Sequence, residues 1–238
     1  MKKKVLSVAL VAAMVAIMVS GTLAYFTARD DVTNTFTVGS VEIEIYENGE
    51  ATESDTIEFK QPLIPVVNTA DPGADESYIP KVVEVKNTGI NEAFVRTHIA
   101  IPAALVEYLQ LDLDADGWSR QPDSDATVDG VDYVVFTYDY DSEVTSGAFT
   151  SRLLKGVYLG SRVDLEEDAN GDLYFVLKEN GEVIHRSGFL AHTKNDNGTY
   201  TSTVVRVLVA SQAIQSRGFG GSTPSEALNT GFGGNPWQ

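Results

Sequence analysis

The pattern that most constrains the fold is a period-two alternation of apolar and polar side chains. Val41, Ile43 and Ile45 alternate with two glutamates, which places them on one face of a strand. Asn-Gly and other turn signals separate further runs that are rich in Val, Ile, Tyr, Phe and Thr. These runs span residues 81–85, 94–101, 133–140, 153–159, 174–177, 182–184 and 200–209. Many short strands of this kind predict an all-β fold, specifically a jelly-roll-like β-sandwich.

One segment has helical character. Residues 102–113 (PAALVEYLQLDL) begin with a proline, which suits the first turn of a helix, and predict one short helix beside the strands. Residues 218–238 are rich in Gly, Ser and Pro and predict a C-terminal tail that either docks on the domain or stays mobile.

The N-terminus has the organisation of an export signal. Three lysines precede a largely apolar run from Val5 to Val19, and the mostly small residues Ser-Gly-Thr-Leu-Ala follow as far as Ala24. We predict a secretory signal peptide over residues 1–24, cleaved between Ala24 and Tyr25. An uncleaved anchor is the alternative, and it would be the protein's only membrane contact. The apolar run itself is shorter than the roughly 20 residues that a spanning helix needs. The remaining chain divides into an N-terminal arm (25–38), a β-sandwich domain (39–217) and the tail (218–238).

Charge and cysteine content exclude several functions. Without the three leader lysines the chain has 14 basic and 34 acidic side chains, a net charge of −20. Nucleic acids and anionic membranes would be repelled, so neither is a predicted partner. The chain has no cysteine, so neither disulfides nor thiolate chemistry contribute.

An acidic turn is the sharpest local motif. Asp112, Asp114 and Asp116 alternate and are followed by Gly117, and Asp123 takes the twelfth position counted from Asp112. Alternating carboxylates before a glycine form the oxygen-rich turn that Ca²⁺ favours, so these four aspartates are candidate calcium ligands. A solvated acidic turn without a metal is the alternative.

The sequence predicts no enzymatic activity. Its three histidines, His98, His185 and His192, are scattered, and neither the H-E-x-x-H nor the G-x-S-x-G motif is present. His98 lies opposite the apolar face of its strand, where we expect a partly solvated position.

Two interpretations fit the aromatic run 133–140. The set Val134, Phe136, Tyr138 and Tyr140 is the more apolar one and is predicted to face the core. A tyrosine ladder that binds polysaccharide is the alternative.

Four blocks of the chain resemble the TasA/camelysin family of exported Gram-positive proteins, which are processed by a SipW-type signal peptidase. They are AYFTARDDVTNTFTVGSVEIEIYE at 24–47, KNTGINEAFVRTHIAIP at 86–102, TSRLLKGVYL at 150–159 and VLVASQAIQSRGF at 207–219. The blocks follow the family's order and cover about a third of the chain.

The resemblance implies a secreted structural protein. Its subunits would form fibres in a biofilm matrix or on the surface of a Gram-positive bacterium, with the arm of one copy filling a groove in the next. The implied partners are copies of the same chain and the SipW-type peptidase. Camelysin-like relatives imply a secreted metallopeptidase as one alternative. A monomeric surface protein that binds carbohydrate or a host factor is another.

The composition of the arm is compatible with strand addition. Tyr25, Phe26, Val32 and Phe36 are candidate apolar anchors, and no proline interrupts residues 25–38. The charged residues 29–31 interrupt the apolar character. An ordinary edge strand within the same chain is the alternative.

Overall fold

The computed structural model describes residues 27–30, 41–51, 56–58, 71–74, 78–202, 205–218 and 222–237, with the backbone alone at 27–30, 56–58, 189–190 and 202. The predicted signal peptide and its cleavage residues Ala24 and Tyr25 lie outside these ranges. So do the predicted arm anchors Phe26, Val32 and Phe36.

The described residues form sixteen strands, two 3₁₀ turns and one α-helix. In chain order the strands and the helix are β1 (Thr27–Asp30), β2 (Ile43–Glu47), β3 (Glu50–Ala51), β4 (Thr56–Glu58), β5 (Ile79–Asn87), β6 (Ala93–Pro102), β7 (Leu109–Leu113), β8 (Trp118–Arg120), β9 (Ser124–Val128), β10 (Val131–Tyr140), β11 (Leu154–Leu159), β12 (Val163–Glu167), β13 (Leu173–Glu179), β14 (Glu182–Lys194), β15 (Tyr200–Ser202), β16 (Arg206–Gln215) and α1 (Pro224–Gly231).

The strands build three antiparallel sheets. The main sheet has the order β1-β16-β6-β10-β8, with β4 also on β16 and β9 also on β10. The second sheet has the order β3-β2-β5-β11-β7, and the third has the order β12-β13-β14-β15. The main and second sheets pack face to face around one core, which residues of the third sheet extend. The predicted all-β sandwich is confirmed.

The alternation seen in the sequence positions the core. On β5, Val83 and Val85 are fully buried, whereas Val82, Glu84 and Lys86, which alternate with them, are only half-buried. On β10, Tyr138 is buried in the central core and the half-buried Phe136 and Tyr140 pack against it, the side that the apolar set of that run predicts. Period-two patterning therefore identifies the inner face of both sheets.

The predicted helix at 102–113 is wrong. Ala103–Leu105 form a single 3₁₀ turn, and Leu109–Leu113 form β7, which pairs with β11. The sequence Leu-Gln-Leu-Asp-Leu of β7 itself alternates with period two. Pairing with a neighbouring strand overrides the helix signal given by the proline.

The α-helix lies instead in the C-terminal tail. Thr223 caps it: its hydroxyl accepts a hydrogen bond from the Glu226 amide, and the Glu226 carboxylate accepts one from the Thr223 amide. Pro224 occupies the first turn, and Ala227 and Leu228 are fully buried. Of the two alternatives for the tail, docking is the one that residues 222–237 adopt.

Candidate assembly edge

Strand β16 is the structural basis of the candidate site. One of its edges pairs with the central strand β6 over eight residues, from Leu208 opposite Ala100 to Gln215 opposite Ala93. Its inner face contributes Val207, Val209 and Ala213 to the sandwich core. A strand fixed in this way on one edge and one face presents a rigid backbone on its other edge.

Two short strands occupy that other edge of β16. Thr27 to Asp30 of β1 pair antiparallel with Ile214 to Ser211, and Thr56–Glu58 of β4 pair with residues 208–206. Val209 and Ala210 lie between the two paired stretches. Part of the predicted N-terminal arm therefore adds a strand to the main sheet of its own chain.

The C-terminal segment covers the outer face of the same sheet. Ala227 and Leu228 of α1 pack with Phe94 of β6 and Ile214 of β16 in a small apolar cluster. The sandwich core on one face and this covering layer on the other together bury all ten residues of β6. We call residues 222–237 the C-terminal cap.

A buried ion pair lies beneath the cap. Arg96 on β6 is directly opposite Asp139 on β10, and its guanidinium donates two hydrogen bonds to the carboxylate, at 2.5 and 2.9 Å. The guanidinium also donates to the side-chain oxygen of Asn229 on α1, at 2.8 Å. The side chains of Arg96 and Asp139 are only 6% and 0% exposed. A charged pair removed from water in this way requires both partners, because either one alone would be an uncompensated buried charge.

His98 continues this buried polar row. Its Nδ1 lies 2.9 Å from the Thr137 hydroxyl and its Nε2 lies 3.1 Å from the Gln212 side-chain oxygen. The ring of Trp237, in the cap, lies 6.2 Å away in an edge-on arrangement. His98 is 1% exposed, so the expected partly solvated position is wrong. The strand pattern indicated the correct face, but it gave no sign that the tail covers that face.

The predicted calcium ligands do not converge. Asp112 accepts a hydrogen bond from the Tyr78 hydroxyl at 2.9 Å and lies 3.3 Å from the Lys155 amine, while Asp123 pairs with Arg120. The other two, Asp114 and Asp116, are exposed in the intervening turn. Across the described ranges, no group of three or more His, Cys, Asp or Glu side chains is placed to hold a metal ion. Calcium binding by these four aspartates stays a prediction.

The histidines lie in two different parts of the molecule. His185 and His192 are both on β14 in the third sheet, away from His98 in the main sheet. The Nδ1 atom of His185 lies 2.8 Å from the Tyr108 hydroxyl and 3.3 Å from the Glu107 carboxylate. Burial lowers the pKa of His192 below its ordinary value.

The geometry defines a class: an all-β sandwich protein whose main sheet carries an N-terminal strand on one edge and a C-terminal cap on its outer face. Within the part of the chain that the structure describes, no helix has the length and apolar character needed to cross a membrane. The chain matches no family model, no curated protein and no solved structure.

Proposed function

We propose that this protein is a secreted structural subunit of an extracellular matrix, such as a biofilm, or of a surface fibre. Copies assemble head to tail by strand addition, when the N-terminal arm of one copy pairs with the β16 edge of the next. The N-terminal leader supports export, and the four sequence blocks support a Gram-positive matrix protein processed by a SipW-type peptidase.

The observation that carries the proposal is the pairing of Thr27–Asp30 with residues 211–214 of β16. Pairing of this kind uses backbone N–H and C=O groups, which are the same in every copy of the chain. The edge therefore does not distinguish its own arm from the arm of a neighbour. Exchange of an identical element between copies is a low-cost route to assembly.

Two unfavourable contributions to the free energy oppose exchange between copies. The pairing lost within one copy is regained between copies, so the backbone hydrogen bonds contribute nearly equally to both states. Association costs roughly 4–15 kcal/mol in lost freedom, and subunits with a net charge of −20 repel one another. A fibre therefore needs additional favourable contacts from the arm anchors and solution conditions that screen the charge.

The direct test of the proposal is removal of the arm. Negative-stain electron microscopy of residues 25–238 is expected to show filaments of uniform width, and residues 35–238 are expected to remain folded monomers. Calcium at millimolar concentration is included as a separate condition because of the acidic turn. Unchanged filaments from the truncated chain would rule out assembly through the arm.

A point substitution makes the same test without shortening the chain. Proline at position 28 removes a backbone donor in the middle of β1, so Ala28→Pro is expected to abolish filaments. Ala28→Val is the matched control, since valine favours an extended strand and keeps the donor.

A further inference from the structure

The second sheet has an outer side, opposite the core, that carries several aromatic rings. Along β5 the side chains of Val83 and Val85 enter the core, whereas Glu84 and Lys86 are on the opposite side. Tyr46 of β2 and Tyr158 of β11 are half-buried residues on that opposite side, and Phe149, which contacts Tyr46, is 43% exposed. The parts of these rings that stay in contact with water forgo the stabilisation that full burial would give them.

The ring of Tyr78 is fitted to this surface by a glycine. Tyr78 precedes β5, and its hydroxyl reaches across β11 to donate a hydrogen bond to Asp112 on β7. A Cβ atom at Gly156 would lie 2.2 Å from the ring carbon Cζ of Tyr78. Gly156 does not have the left-handed backbone that would by itself favour glycine. Glycine within a strand costs roughly 0.5–1 kcal/mol relative to alanine, so the chain gives up strand stability to place this ring.

Tyr158 extends the ring of Tyr78 into a wider platform. The two ring centroids are 6.3 Å apart, and the ring planes are inclined by only 32°. Polar groups border the pair: the Asp112 carboxylate accepts from Tyr78, and the Lys155 amine lies 3.3 Å from the same carboxylate. Burial, followed by the hydrogen bond that the Tyr78 hydroxyl donates to Asp112, raises the pKa of this hydroxyl, which stays protonated as a donor.

A second aromatic pair lies at the other end of the same face. Tyr46 and Phe149 meet edge to face with their centroids 4.9 Å apart, and the Lys86 amine lies 5.6 and 5.4 Å from the two centroids. Tyr46 is opposite Glu84 and Phe149 is bridged to Lys86, so the second pair lies six to eight positions from Tyr78 along extended chain, about 20–26 Å at roughly 3.3 Å per residue. The ion pair between Arg152 and Glu84 borders this second pair, because Glu84 is directly opposite Tyr46.

We propose that this face of the second sheet binds a neutral polysaccharide, with sugar rings packed on the Tyr78–Tyr158 and Tyr46–Phe149 pairs. A pyranose ring has C–H groups on its faces and hydroxyls at its rim. The negative face of an aromatic ring attracts the C–H groups, while a carboxylate and an ammonium group serve as acceptor and donor for the hydroxyls. The distance between the two pairs is far longer than one sugar, so a chain of sugars is the ligand that fits both.

The charge of the surface selects a neutral ligand. Lys155 is paired with Asp112, and Arg152 is paired with Glu84. Each of these positive charges is therefore balanced by a carboxylate and gives the face no net positive charge to attract an acidic polymer. The whole chain carries a net charge of −17, which repels an acidic polymer. This inference is independent of fibre formation, because a monomer presents the same face.

Affinity gel electrophoresis tests the proposal with the purified protein. The gels contain dextran, galactomannan or hydroxyethyl cellulose as neutral probes and alginate as an acidic one. At least one neutral polysaccharide is expected to retard the protein, and Tyr158→Ala is expected to weaken that binding by about tenfold or more. Phe149→Ala tests the second aromatic pair in the same way. Thermal melting and far-UV circular dichroism verify that each variant is folded.

The matched control is Tyr200→Ala, which removes an exposed tyrosine from the third sheet. It is expected to leave the retardation unchanged, and Tyr158→Phe is expected to retain it because the ring persists. The proposal is overturned if none of the neutral polysaccharides retards the protein, if Tyr200→Ala weakens binding as much as Tyr158→Ala, or if alginate alone is bound.

Discussion

Arg96 and Asp139 lie directly opposite each other on β6 and β10, and their side chains form a two-hydrogen-bond ion pair that the C-terminal cap buries. Asn229 of the cap accepts a further hydrogen bond from the same guanidinium. The pair thus connects the centre of the main sheet with the last helix of the chain.

Loss of one partner of this pair is expected to be costly. Asp139→Ala leaves a buried guanidinium without its counter-charge, and we expect the free energy of unfolding to fall by about 3–5 kcal/mol. Urea denaturation measures the difference. The control is Arg120→Ala at the exposed Arg120–Asp123 pair, whose loss is expected to cost less than about 1 kcal/mol. Equal effects at the two pairs would contradict the buried position of Asp139.

Docking of the cap makes a second stability prediction. Leu228 is fully buried against Phe94 and Ile214, so Leu228→Ala is expected to lower the free energy of unfolding by about 2–5 kcal/mol. Ile184 is 52% exposed, and Ile184→Ala is expected to change it by less than about 0.5 kcal/mol. Near-neutral behaviour of Leu228→Ala would show that the cap is undocked in solution.

His192 is expected to make stability depend on pH. Burial lowers its pKa in the folded state below the ordinary value of 6.5, so the unfolded chain takes up a proton first as the pH falls. The stability that neutral His192 contributes is complete above pH 6.5, and it is lost as the pH falls from 6.5 through the folded-state pKa of His192. Melting temperatures from pH 7.5 to 5 should fall less steeply in His192→Gln than in the original chain. Chemical-shift titration of the three histidines measures the pKa of His192 directly, and a value above the ordinary one would contradict this account.

Assembly is expected to accelerate with ionic strength. Subunits without the predicted leader would carry a net charge of −20 and repel one another, and the Debye length shortens from roughly 20 Å to below 8 Å between about 20 and 200 mM salt. Light scattering should therefore show faster filament growth across this range. Chloride and sulfate salts compared at equal ionic strength separate screening from effects on hydrophobic burial. A rate that is independent of salt would show that charge repulsion does not limit assembly.

The strands were largely predictable because each carries its own period-two pattern. The runs that contain Phe94 and Tyr133 lie within β6 and β10. The single run predicted at 200–209 instead contributes to two strands in different sheets, β15 and β16. Alternation identifies which side chains share a face, but it does not say where the chain leaves one sheet and enters another.

The cap and the polar row beneath it were missed for a different reason. The Gly-rich composition of residues 218–238 indicated a tail, although Thr223-Pro224-Ser225-Glu226 contains both the capping-box pattern and a first-turn proline. That signal was sufficient to predict α1. The burial of His98 was not predictable from its strand alone, because it depends on a segment more than a hundred residues away.

The most direct test of strand exchange uses the absence of cysteine from the chain. Ala28 and Ala213 lie opposite each other in the β1–β16 pairing, so Ala28→Cys combined with Ala213→Cys places one engineered disulfide at the proposed junction. Thr193→Cys with Thr201→Cys is the control, since these residues are opposite each other on β14 and β15.

Oxidised filaments are analysed by non-reducing gel electrophoresis. We predict a ladder of covalently linked subunits for the junction pair and a single monomer band for the control. A monomer band for the junction pair would show that each arm stays on its own sheet, contradicting assembly by strand exchange.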